Sequence, residues 1–512
     1  MESSSSWALI VMASLAALAF LSKLLVPFKS HQLKFPPGPK PWPIIGNLNL
    51  KGSHPPKSLP ILAQKYGPIM QLKFGSFPVV VASSAEMAKE FLKTHDHVFA
   101  SRPKSAAGKY LSYNHHNITW APAGPYWRQG RKIFLSELFN TKRLESYQYI
   151  RVEEMRAFLS RLCTLSGKPV VLKDHLFRFT LSSMSRIILS KKYVSDESKH
   201  ETSIVRPEEF QEMIEELFLL NGVFNIGDWI PWLNFLDLQG YVKQMKALKK
   251  KFDLFLDHVF NEHKKKMEGV KDFVPMDMVD ILLQLANDPN IDVKLTYDSI
   301  KALTQDLLTG GVDTSVTIME WAMAELLKQP PLIKKATEEL DRVIGREKWV
   351  EEKDIPELPY IEAIVKETMR KHPVAGLLVP HLALEDCDVV GYKIQKGTRV
   401  FINTWSIGRD PSLWDAPEEF CPDRFLGKAI DVKGQNFELL PFGSGRRMCP
   451  GYNHGLKVVS TTLANMLHGF YCKLPDNMNC EDLSMDEIYG FATTLKFPLI
   501  AVMEPRLPLH LY

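Results

Sequence analysis

One ten-residue run, Phe442-Gly443-Ser444-Gly445-Arg446-Arg447-Met448-Cys449-Pro450-Gly451, constrains this chain more than any other feature. It sets a single cysteine in backbone that glycine frees from ordinary steric limits, just ahead of a segment with helical periodicity. A helix starting after Cys449 directs its positive end at the sulfur and favours the thiolate. Gly443 and Gly445 give backbone N–H groups room to approach that sulfur, and Phe442 is suited to cover it. Gly451 leaves space for a flat group, and Arg447 is placed to pair with a carboxylate. A lone cysteine usually packs as a small hydrophobe, but this composition over the whole run argues for a metal ligand. A haem iron set up for O–O cleavage calls for such a thiolate, and its propionates are then the carboxylates.

A haem needs a large body around it. The chain has 512 residues, 45% hydrophobic and 24% charged, as in ordinary globular proteins. A net charge of +4 is too dilute for nucleic acid binding. The other cysteines, Cys163, Cys387, Cys421, Cys472 and Cys480, form no C-x-x-C pair and are too sparse to staple a fold, so the body is expected to face a reducing compartment. Residues 7–28 are apolar except for Ser14, Ser22 and Lys23. About 20 apolar residues span a bilayer, so 1–28 is expected to be a transmembrane anchor rather than a cleaved leader. Lys23, Lys29 and Lys34 lie on its C-terminal side and only Glu2 precedes it, which leaves the body cytosolic. Prolines over 35–43 make 29–46 a stiff extended linker, and 47–512 is expected to be one catalytic domain.

Within that body the pattern is mainly helical with small strand clusters. Ile69–Phe74 and 78–82 read as strands joined at Gly75-Ser76, after which Ser83 and Glu86 have the spacing of a capping box. Residues 389–395 and 398–403 flank Gly397 as a second expected hairpin. A helix is expected over Tyr297–Lys328, capped by Thr296 and closed by Pro330-Pro331. It contains Gly310-Gly311-Val312-Asp313-Thr314-Ser315. Two glycines inside a helix cost about 1 kcal/mol each, so a local break opening a groove is expected there.

Three more motifs stand in order along the chain. Trp127 and Arg131 lie one helical turn apart; Glu367 and Arg370 share a helix face at i,i+3; Arg424 sits in Pro422-Asp423-Arg424-Phe425. Together with the Cys449 run, they resemble the cytochrome P-450 superfamily over essentially the whole chain. The likeness is greatest to the plant microsomal A-type group, which includes flavonoid hydroxylases and homoterpene synthases. Gly130, Gly376 and Lys371 depart from residues frequent in that group.

The resemblance implies a triangular helical body around a buried haem b, with Cys449 as axial ligand. It implies that Trp127, Arg131, His381 and Arg447 contact propionates. Glu367, Arg370 and Arg424 become a network that locks the cysteine loop, and Asp313 and Thr314 a proton relay. The implied reaction is monooxygenation with O2 and NADPH-derived electrons delivered by a separate reductase at the endoplasmic reticulum membrane. Arg128, Arg131, Lys132 and Arg446 are candidates for the reductase-docking face. An apolar small molecule is the expected substrate, met by 101–119, 218–235, 374–379 and 493–495. Phe224, Trp229, Ile230 and Trp232 are expected to line its access route or dip into the membrane. A hydroperoxide-rearranging haem-thiolate enzyme is the nearest alternative, but it has no use for Asp313 and Thr314. A non-catalytic haem carrier or sensor would need no groove over 310–314. Turnover with NADPH and reductase separates the monooxygenase from the rearranging enzyme, and a carrier or sensor would bind haem yet oxidise no substrate.

Overall fold

A computed structural model describes residues 34–192, 205–270, 273–476 and 478–512, so the expected anchor over 1–28 lies outside the described residues. In chain order, the elements that place the site begin with α1 (Pro55–Tyr66), β1 (Ile69–Phe74), β2 (Phe77–Ala82), α2 (Pro125–Glu137), β3 (Pro169–Val171) and α3 (Leu172–Leu189). Next come α4 (Pro207–Gly222), α5 (Tyr241–Met267), α6 (Met278–Ala286), α7 (Tyr297–Lys328) and α8 (Pro359–Lys371). After β4 (His381–Leu382), β5 (Cys387–Val389), β6 (Tyr392–Ile394) and β7 (Arg399–Ile402), the chain forms α9 (Tyr452–Gly469), β8 (Phe470–Lys473) and β9 (Ile500–Pro505). No helix among the described residues is long and apolar enough to cross a membrane.

The central helix α7 keeps the predicted bounds because both ends carry local signals. The Thr296 hydroxyl accepts the Ser299 N–H at 3.1 Å, and Pro330 cannot continue the ladder. Buried residues lie on every face of α7, so it runs through the core between α3, α8 and α9. The expected break at its glycines is absent: the helix is continuous through Gly310 and Gly311. A Cβ on Gly311 would lie 2.4 Å from Met184 Cε on α3, whereas one on Gly310 would meet open space. One glycine therefore allows close helix packing and the other leaves room beside the helix.

A four-stranded sheet, ordered β1-β2-β7-β4, flanks the helical mass. β1 and β2 pair antiparallel with Ile69 opposite Ala82, and β7 joins β2 in parallel with Arg399 opposite Val79. Alternation along β2 sends Val80 and Ala82 into one apolar cluster and Val79 and Val81 into another. The hairpin expected around Gly397 is corrected: β5 pairs with β6 through Val390-Gly391, and β7 leaves for the larger sheet. The capping residue also shifts by one, since Ser84 rather than Ser83 accepts the Met87 N–H. The proline-rich linker is tied to the body. Gln71 donates to the Pro37 carbonyl at 2.9 Å, and Asn47 and Lys73 exchange hydrogen bonds along the edge of β1.

Candidate active site

Cys449 ends a loop that crosses from the sheet side to the start of α9. The Cys449 N–H donates to the Phe442 carbonyl at 2.9 Å, closing the run on itself. Gly443 and Gly445 both have φ +67, where glycine is favoured. A Cβ on Gly445 would sit 2.0 Å from the Leu92 carbonyl, so this glycine serves contact with the neighbouring helix. A Cβ on Gly451 would press on the Phe139 ring at 3.3 Å, and the Gly451 N–H favours the thiolate of Cys449. Both glycines therefore also carry packing contacts of their own, Gly445 against Leu92 and Gly451 against Phe139. Burial pushes the Cys449 thiol up, while the Gly451 N–H and the Arg131 guanidinium act in the opposite direction.

Cys449 lines a cavity of about 300 Å³. Opposite the loop, α7 contributes Thr309, Gly310, Thr314 and Ser315 to the wall. The Thr314 hydroxyl donates to the Gly310 carbonyl at 2.8 Å and stays exposed to the cavity. Asp313 does not line it. Its carboxyl is pushed up to about 6 by burial, with Lys173 opposing and Glu215 reinforcing.

Along one side, the cavity collects positive charge. Arg131 donates to the Met448 carbonyl at 2.7 Å; Arg447 donates to the carbonyls of Ala100, Ile118 and Ala121 and stacks 4.1 Å over Trp127. Arg102, which sequence reasoning missed, donates to Val379 at 2.6 Å and Pro380 at 2.9 Å. Burial lowers Arg102 to about 9; burial, then Arg102 and Arg131, lower Arg447 to about 8. Guanidinium groups nonetheless keep their charge, so three cations crowd one wall. Among the described residues none of the three has an ion-pair partner. The buried Trp127 Nε1–H beside them has no acceptor. His381 is buried with Nδ1 2.8 Å from the Phe99 carbonyl, and burial holds it well below its usual value. A thiol on one side, unspent cations and an orphaned N–H on another fit a metal macrocycle bearing carboxylates.

A family model for cytochrome P-450 matches residues 36–496. This chain belongs to the cytochrome P-450 family. The P-450 chain is 44% identical over 501 residues to a dimethylnonatriene synthase of Zea mays, covering 94% of this chain and 93% of the relative. It is 42% identical to a flavonoid 3'-monooxygenase of Petunia hybrida, with 94% of each covered. A zebra fish cytochrome P-450 solved with abiraterone superposes with TM-score 0.74 at 25% identity, over 88% of this chain and 99% of that one. The protein is therefore an oxidoreductase that incorporates one oxygen atom, with haem-thiolate as cofactor and electrons from a separate reductase.

The P-450 body also brings Glu367, Arg370 and Arg424 together. Arg370 grips Glu367 bidentately at 2.7 and 2.8 Å, both side chains fully buried, and Arg424 Nε reaches Glu367 at 3.0 Å. Arg370 also donates to the carbonyls of Gly408, Pro417 and Glu419, and Glu367 accepts the Cys421 N–H. The hydrogen bonds found here thus clamp 408–421, the segment before the cysteine loop, rather than 442–451 itself. Asp306 on α7 was not anticipated. It accepts from Asn117 Nδ2 and the Ile118 and Thr119 N–H groups, pinning that loop to the cavity roof. Asn117 of the sequon Asn117-Ile118-Thr119 is thereby buried and engaged.

The substrate segments are partly redrawn. Phe491, not 493–495, lines the cavity from the C-terminal region. Trp229 and Ile230 are buried against the sheet, while Trp232 and Phe235 are 60% and 82% exposed. Of the basic residues, Arg128 and Lys132 are exposed; Arg131 turns inward, and Arg446 pairs with Asp96 at 3.2 Å. A Cβ on Gly130 would strike Ile118 at 2.6 Å, and Lys371 meets Glu325 at 3.0 Å, which accounts for two departures from the family's frequent residues.

Proposed function

We propose that this P-450 oxidises a small apolar plant specialised metabolite, a flavonoid, another phenylpropanoid or a terpenoid, in the cavity between Cys449 and α7. Support comes from one observation above all: Cys449 and Thr314 line the same largely apolar cavity. Names of relatives acting on flavonoids and making homoterpenes narrow the substrate class. Haem b, when bound, would supply oxygen activation, and the Cys449 thiolate would hold its iron. Arg102, Arg131, Arg447, His381 and Trp127 would hold its propionates through charge-assisted hydrogen bonds. His381 uses Nδ1–H on Phe99, so it needs a second proton to donate again, and a nearby propionate would favour that proton. Phe442, Gly445 and Gly451 shape the loop that presents the sulfur.

Thr314 gives its hydroxyl proton to the Gly310 carbonyl and leaves Oγ1 free to accept one from the cavity, and Asp313 serves the side of α7 away from the cavity, toward Lys173. A carboxyl near 6 exchanges protons readily at neutral pH. Substrate is held by 101–119, Phe218 and Asn221 of the 218–235 segment, 374–379 and Phe491. NADPH–cytochrome P-450 reductase is the proposed electron donor, docking near Arg128 and Lys132. The body sits on the endoplasmic reticulum membrane beside the anchor over 1–28. Trp42, Ile44, Trp232 and Phe235 are exposed, and the β1–β2 turn touches both of their segments through Ile45 and Trp229. Microsomes containing the protein and reductase are incubated with NADPH and panels of flavonoids and terpenoids, for wild type and Thr314→Ala. Product from at least one panel member is expected, with more peroxide released per product in the variant. No NADPH-dependent product from either panel would overturn the substrate class.

A further inference from the structure

His263, Asp277 and Asp280 meet where α5 packs against the N-terminus of α6, and none of them lines the Cys449 cavity. All three are buried, and one ligand-type atom from each lies within 4.8 Å of the others. His263 Nδ1 is 2.8 Å from the Val259 carbonyl. That bond fixes the N–H on Nδ1 and turns Nε2 toward Asp277 Oδ2, 3.0 Å away. Asp277 Oδ1 caps α6 by accepting the Asp280 N–H at 3.0 Å. Asp280 Oδ2 accepts the Met276 N–H at 3.1 Å, but Oδ1 is buried without a partner in a residue only 3% exposed.

The charges in this cluster do not balance. Burial disfavours charge on His263, but Asp277 outweighs it and raises the imidazole. Even as a cation, His263 offsets one carboxylate of two. Burial and then Asp277 push the Asp280 carboxyl up, against the Met276 N–H, His263 and the surface Lys266. A spare carboxylate oxygen and an imidazole with its far N–H already anchored form a half-built ligand set.

We propose that His263, Asp277 and Asp280 bind one divalent cation of the zinc type, which clips α5 to α6. One imidazole nitrogen with two carboxylate oxygens matches zinc, whose ligands lie about 2.0–2.2 Å from the metal, and a water completes a tetrahedron. Calcium and magnesium prefer more oxygens and no imidazole. Small side-chain rotations bring the three ligand atoms onto one ion, and His263 gives up its Nε2 proton as the metal binds.

The test uses the full-length, haem-loaded protein, stripped with a chelator and dialysed against Zn²⁺. Zinc and iron per chain are measured by mass spectrometry, and thermal unfolding is followed with and without Zn²⁺. Asp280→Asn keeps the acceptor for Met276, and Asp277→Asn keeps a capping oxygen, so both variants should fold; iron content and the reduced carbon-monoxide spectrum check this. Wild type is expected to hold about one zinc per chain and to unfold at higher temperature with Zn²⁺, with apparent affinity weakened at least ~10-fold in each variant. If Zn²⁺ leaves wild-type unfolding unmoved, or if a folded variant takes up zinc with wild-type affinity, the site does not exist.

Discussion

Trp127→Phe separates haem retention from folding. Trp127 is buried, its Nε1–H lacks an acceptor in the protein, and its ring supports Arg447 at 4.1 Å. Without haem, the orphaned donor costs about 1–3 kcal/mol. Phenylalanine removes that cost and keeps a ring under Arg447, but it leaves a void worth about 1–2 kcal/mol. The two effects offset, so haem-free stability should change by less than about 1 kcal/mol. With haem, the variant lacks one N–H···carboxylate bond of about 1.5–3 kcal/mol. At 1.4 kcal/mol per tenfold, haem should be held roughly 10- to 150-fold less tightly. Transfer of haem to excess apomyoglobin, followed by absorbance, reads the retention; urea unfolding of haem-free protein reads the stability. Equal transfer rates for wild type and variant would refute the placement of a propionate at Trp127.

Arg370→Met leaves the fully buried Glu367 with only Arg424 and the Cys421 N–H, and frees the carbonyls of Gly408, Pro417 and Glu419. Breaking one side of such a buried pair costs about 3–5 kcal/mol, so the urea midpoint should fall sharply and little carbon-monoxide-binding protein should accumulate. A shift worth less than about 1 kcal/mol would contradict the clamp. Asp313→Asn tests the buried carboxyl of α7. Its folded value of about 6 lies above the model-peptide value of 3.8, so between these the unfolded chain holds fewer protons and this group's contribution to stability falls as pH rises. The variant should therefore gain on wild type across that window and run parallel above it; parallel profiles throughout would contradict the shift.

Local motifs carried most of what was legible in the sequence. The cysteine loop, the ends of α7 and the Glu367–Arg370 pair are each specified within a few residues, by glycine, capping threonine, proline and helical spacing. What escaped depended on distant partners. β7 chose β2, more than 300 residues earlier, over the hairpin suggested by Gly397. Arg102 is an ordinary basic residue until folding buries it beside Val379 and Pro380. Asp306 looks like any helix acid, and only the loop over 117–119 gives it four donors. The unbroken helix at Gly310-Gly311 is not legible locally because Met184, which fills the space beside Gly311, comes from α3.

A bond from the Cys449 sulfur to the haem iron is tested most directly by the absorbance of the reduced protein under carbon monoxide, wild type against Cys449→Ser. The wild type should show the long-wavelength band of a thiolate opposite carbon monoxide, and any haem retained by the serine variant should absorb at shorter wavelength. The same band in both proteins would mean that another group binds the iron.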